Sequence, residues 1–152
     1  MRYSLALLGT FAAVSAAAVA AADYAGPLGW SPVAVPTSTD TTRTYKQWHL
    51  GDVATVTYIK DTSLAYADAL GNIQKNFSTN KIKATTDQDL PCQGKTAHVI
   101  EFTTGPDGHR IVINRVLVPD GSGVQTITYT RQDGAVFDSD VKKSETAFCS
   151  GS

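Results

Sequence analysis

The fold is decided by one run, "KTAHVIEFTTGPDGHRIVINRVLVPDGSGVQTITYT" (residues 95–130). Apolar and β-branched residues alternate with polar ones in "KTAHVIEFTT", "HRIVINRVLV" and "VQTITYT", which is the period of a strand with one covered face. Pro106-Asp107-Gly108 and Pro119-Asp120-Gly121 separate the three. Proline presets φ early in such a turn and glycine tolerates positive φ near its end. Links this tight join antiparallel neighbours, so the run reads as a meander.

Working outward, "KIKATT" supplies a further strand before residue 95. "RTYKQWHL" and "VATVTYIK" form a hairpin around Leu50-Gly51-Asp52. Between the hairpin and "KIKATT" the period changes. Tyr66, Ala69, Leu70, Ile73 and Phe77 recur at spacings of three and four, which makes one apolar helical stripe. Asp61 or Thr62 is the expected N-cap, and Ser78-Thr79-Asn80 ends the helix. A second helix closes the chain, with Asp138 as cap and Val141, Ser144, Ala147 and Phe148 as inward candidates. The order is strand, strand, helix, four strands, helix. It predicts an α+β fold, an antiparallel sheet of about six strands with two helices packed on it.

The chain opens "MRYSLALLGTFAAVSAAAVAAADY". Arg2 gives a positive start, an apolar centre follows, and alanines crowd the end. Residues 1–22 read as a secretory signal peptide, cleaved after Ala22. Residues 23–42 carry three prolines and a Ser/Thr run, and are expected to form an extended arm with a short strand near residues 30–35. Residues 43–152 are one α+β domain. Without Arg2 there are twelve basic and fourteen acidic side chains, so no basic excess draws nucleic acid or anionic lipid. No membrane span is expected after signal cleavage. Cys92 and Cys149 are the only cysteines, and in an exported chain an even pair reads as a disulfide. The expected location is periplasmic or secreted.

The candidate chemistry fails on spacing or context. Gly94-Lys95-Thr96 looks like the tail of a phosphate loop. The glycine such a loop needs five residues earlier is Asp89, and the run enters a strand rather than a helix. His98 and Glu101 sit three apart in a strand and so face opposite ways. No second histidine stands at ligand spacing from His49, His98 or His109, so no metal and no cofactor are expected. Gly121-Ser122-Gly123 is a turn, not a nucleophile elbow. Each Pro-Asp-Gly turn offers one carboxylate where calcium needs six to eight oxygens. Asn76-Phe77-Ser78 is a glycosylation sequon, with meaning only in a eukaryotic source. The aromatic residues Trp30, Tyr45, Trp48, Tyr58 and Tyr129 read as sheet packing or as a recognition patch. Trp30, Trp48, His49 and Tyr58 make the candidate binding surface.

Gly94, the strand to Phe102, Ile127-Thr128-Tyr129 and Phe148 together resemble the PsbP-like α/β sandwiches, which include small exported bacterial proteins. The resemblance covers about 100 residues and rests on packing positions rather than on a chemical signature. It implies an antiparallel sheet between helices and a non-enzymatic binding or assembly role. Gln47-Trp48-His49-Leu50-Gly51 is also similar in outline to the Gln-x-Val-x-Gly hairpin of cystatin-like protease inhibitors, with His49 in the valine position. The leading expectation is an exported non-catalytic binding module for a protein or small ligand. A small hydrolase or metal-assisted enzyme and a cystatin-like inhibitor are the alternatives.

Overall fold

The computed structural model describes residues 24–52, 54–134 and 138–151, with Asp138 placed by its backbone only. The signal peptide over residues 1–22 and the Asp138 side-chain cap lie outside the described residues. Among the described residues seven strands form one sheet: β1 (Ser31–Pro32), β2 (Arg43–Leu50), β3 (Ala54–Asp61), β4 (Ala84–Cys92), β5 (Lys95–Thr104), β6 (Ile111–Asp120) and β7 (Gly123–Gln132). Their spatial order is β1-β2-β3-β7-β6-β5-β4, and every pair is antiparallel. The run that decides the fold is therefore the middle of the sheet and its flank.

Two helices, α1 (Tyr66–Asn80) and α2 (Asp138–Ser150), cover opposite faces. Side chains alternate along a strand, so neighbours in sequence separate. Val116, Val118, Ile127 and Tyr129 join Val141 and Phe148 of α2 in one core. Leu117 and Val124 point the other way, onto Ala69, Tyr66 and Ile73 of α1. Phe77 meets Phe102 edge-on at 4.7 Å. The apolar stripe of α1 thus faces the sheet as its spacing predicts, with Ala69 buried and Tyr66, Leu70, Ile73 and Phe77 half-buried, and the sheet lies between helices.

Three local features differ from the sequence reading or add to it. Ala65, not Asp61 or Thr62, precedes α1, and it makes no side-chain cap bond. Asp61 Oδ1 instead accepts from the Ser63 and Leu64 N–H groups at 2.9 Å each, so it braces the turn ahead of the helix. Pro91 is part of a strand. It lies inside β4, an edge strand, where a missing N–H can face outward without breaking a ladder. Gln93 and Gly94 both take positive φ, 53° and 70°, between the paired residues Cys92 and Lys95. That is the two-residue hairpin geometry that matches strand twist, so Gly94 serves a tight turn between β4 and β5.

The same turn fastens α2. Cys92 is bonded to Cys149. The Gln93 N–H donates to the Cys149 carbonyl at 2.7 Å, and Gln93 Nε2 donates to the Phe148 carbonyl at 3.1 Å. Carbonyls at a helix C-terminus lack partners within the helix. Here the hairpin supplies two donors as well as the covalent tie.

Candidate functional site

The residues expected to form an aromatic binding surface are mostly core. Trp30 is 9% exposed, Trp48 6% and Tyr58 1%, while His49 alone lies outside. The cause is strand parity. Trp48 and Tyr58 share the face of Val56, and the arm closes over them. Tyr24 stands edge-on to Trp48 at 5.4 Å and to Phe148 at 5.2 Å, with Tyr58 at 5.6 Å. Its hydroxyl meets Ser144 Oγ, which also bonds the Tyr129 hydroxyl at 2.8 Å. Burial pushes the Tyr24 and Tyr129 phenols up, so both stay neutral. Tyr45 is exposed, and the other aromatic residues of the group pack as a plug.

His49 and His98 are not brought together. His98 lies on the α1 face, with Nδ1 2.7 Å from Asp89 Oδ1 and Nε2 2.9 Å from Asp87 Oδ1. The i, i+2 spacing of Asp87 and Asp89 on β4 puts both carboxylates beside the residue that pairs with Asp89. Neither aspartate stood out in the sequence as a partner for His98. Among the described residues no group of three His, Cys, Asp or Glu side chains is placed to hold a metal ion. Both cysteines are in the disulfide.

A cleft opens on the other face, between α2 and strands β4 to β7. Its volume is about 290 Å³, and its polar lining includes Glu101, Asn114, Arg131, Lys142 and Glu145. Register assembles it. Glu101 of β5 pairs with Asn114 of β6, and Thr86 of β4 with Glu101. Arg131 follows Tyr129 by two on β7, so it stays on the core face. Val141 and Glu145, four apart on α2, look down on the strands.

The charges in the cleft are only partly matched. Arg131 Nη2 lies 3.5 Å from Glu101 Oε2, and the Arg131 side chain is 7% exposed. Burial pushes the Glu145 carboxyl up, and nearby Glu101 adds to the effect. The Asn114 amide and Lys142 oppose the shift without cancelling it. Asn114 is 8% exposed, and its Oδ1 has no hydrogen-bond partner among the described residues. An unmet buried acceptor costs about 1–3 kcal/mol, so such groups are uncommon away from sites with a purpose.

Sequence reasoning missed Asn114, Arg131 and Glu145. A signal for two of them was present. Asn114 has the parity of Val112, Val116 and Val118, and Arg131 that of Ile127 and Tyr129. A polar residue at a core position of a strong strand is the informative exception.

No protein-family model and no curated protein matches the chain. Among solved structures, the chain is similar to PA94 from Pseudomonas aeruginosa, a protein of unknown function suggested to be a regulator. The TM-score is 0.51 at 14% identity, over 78% of this chain and 90% of that one. The likeness concerns the fold alone. Among the described residues no helix is long and apolar enough to cross a membrane. The disulfide is compatible with an extracellular location.

Proposed function

We propose that the chain is an exported, non-catalytic binding module of the PsbP-like kind, with its ligand seat in the cleft under α2. Residues 1–22 act as the signal peptide, and the mature protein works in the periplasm or outside the cell. The observation that carries the reading is Asn114 Oδ1, buried and unmatched on the floor of a polar cavity. Few polar groups converging in one concavity are the usual mark of a small-ligand site. The lining has Thr86 as its one hydroxyl and no cysteine, and Glu101 is tied to Arg131. That favours holding a ligand over attacking one.

Native mass spectrometry of protein recovered from the exported fraction tests this. A retained small molecule that Asn114→Leu releases, with the melting temperature kept, supports the seat. Retention unchanged in the variant would place the ligand elsewhere and defeat the reading.

One observation favours a second reading. Glu145, with its carboxyl pushed up beside Glu101, has the environment of a general acid. A small hydrolase would then lose turnover in Glu145→Gln without losing its fold.

A further inference from the structure

The chemistry of the cleft narrows what it would take, on the reading that it is a ligand seat. Asn114 Oδ1 is an acceptor with no donor, and less than 1 Å² of it is exposed. Glu145 is a half-buried carboxylate whose burial is only partly offset by the Asn114 amide and by Lys142, which is exposed on the helix above. Glu101 already faces the Arg131 guanidinium. Arg131 is therefore engaged, and a carboxylate ligand would meet Glu101 and Glu145 at close range. Like charges in a desolvated site repel strongly. A positively charged N–H donor would hydrogen-bond Asn114 Oδ1 and would add to the partial counter-charge that Lys142 gives Glu145.

We propose that the cleft binds a small molecule bearing an ammonium or amidinium group, seated between Asn114 Oδ1 and the Glu145 carboxylate. The cavity of about 290 Å³ lies just below the usual range for small-molecule sites, roughly 300–1,000 Å³, so the ligand is a short amine rather than a peptide. An ammonium has three donors and no acceptor, which suits two acceptors side by side. Gln88 and Thr86 at the β4 wall offer further oxygen atoms to its remaining hydrogens. Lys142 at the rim would tolerate, and not require, a carboxylate on the far end of the same ligand.

The test is an amide-resolved NMR titration of the disulfide-bonded protein with butane-1,4-diamine, and separately with acetate and with glycerol. The expected result is a saturable shift of the Glu101, Asn114, Arg131 and Glu145 amides with the diamine alone. Asn114→Leu and Glu145→Gln should each weaken binding about tenfold, the worth of one charge-assisted hydrogen bond. Asn114→Asp, which keeps the shape and adds a negative charge, should tighten it. That variant keeps the proposal falsifiable if Asn114→Leu fails to fold. Acetate or glycerol shifting the same amides as strongly as the diamine overturns the ammonium preference and leaves the ligand seat standing. Silence from all three probes at the highest soluble concentration overturns both, and marks the cavity as a solvent pocket.

Discussion

The layer beneath α2 has two ends built on opposite terms. At the Phe148 end, Tyr24, Trp48, Tyr58 and Phe148 interlock, and the Cys92–Cys149 bond and two Gln93 hydrogen bonds hold the helix down. Ser144 here serves two tyrosine hydroxyls, while Gln93 Oε1 is buried without a hydrogen-bond partner among the described residues. At the Val141 end, one turn or two away, the same strands present Glu101, Asn114 and Arg131 to Glu145, with a cavity left between. Both ends are made of core-parity positions. One is filled for stability, and the other holds polar groups that hydrophobic residues of the same size would improve upon.

The largest effect should come from cutting the anchor. A double Cys92→Ser, Cys149→Ser variant frees a loop whose ends are 57 residues apart in sequence. The chain-entropy relation gives about 4 kcal/mol for a loop of this size. Equilibrium urea unfolding of the oxidised and variant proteins would show it as a lowered midpoint at similar slope. A loss under about 1 kcal/mol would mean that Gln93 and the aromatic plug alone keep α2 in place.

The arm is the next element to break. Gly26 has φ 98°, and a Cβ there would run into the Trp48 indole ring. Gly26→Ala therefore combines backbone strain with overpacking, each worth about 1–3 kcal/mol. We expect about 2–3 kcal/mol in thermal unfolding, together with a red-shifted tryptophan emission as Trp48 meets water. An unshifted spectrum with full stability would show that the arm does not seal the core.

A smaller loss tests the polar matching at the secure end. Ser144→Ala leaves the Tyr129 hydroxyl without its 2.8 Å partner in a buried setting. The expected cost is about 1–2 kcal/mol, and Tyr129→Phe added to it should restore part of that cost. Strict additivity of the two changes would show that the hydroxyls do not act as a pair.

How much of this was legible in sequence follows from which interactions are local. The meander, the α1 stripe and the disulfide pair rest on spacing, redox logic and turn chemistry, and Lys95–Thr104 and Ile111–Asp120 emerge almost at their observed bounds. Trp48 and Tyr58 were ambiguous because aromatic strand residues suit a core or a patch equally. Only the distant Tyr24 and Phe148, which close over them, decide it. The Asn114–Glu145 cleft depends on where α2 lands across the sheet, and no short-range pattern encodes that. Parity alone could have flagged Asn114 and Arg131, but not what would face them.

The mildest prediction reverses sign between the two ends. Every substitution above destabilises. Glu145→Gln should not, because burial already disfavours the carboxylate it replaces. A carboxyl raised in the folded protein is protonated in both states at acid pH and contributes nothing there. As pH climbs, the unfolded chain ionises first, and the fold loses stability until its own carboxyl ionises. Above that point the penalty is constant. The half-exposed setting screens it, so a gain of a few tenths to about 1 kcal/mol is expected for Glu145→Gln at neutral pH. Asp61 and Asp120 act oppositely. For Asp61, the Ser63 hydroxyl lowers the carboxyl. For Asp120, burial raises it, but the Lys60 hydrogen bond and charge, with further help from Gln125 and Lys95, lower it overall. Their contribution is lost as pH falls through the acid range, so total stability alone cannot isolate Glu145. The difference between wild type and Glu145→Gln, followed by urea unfolding from acid to neutral pH, can. It should be near zero at the acid end and favour the variant increasingly toward neutrality. A difference that stays flat, or favours the wild type at neutral pH, would mean that the Asn114 amide and Lys142 fully offset the burial of Glu145.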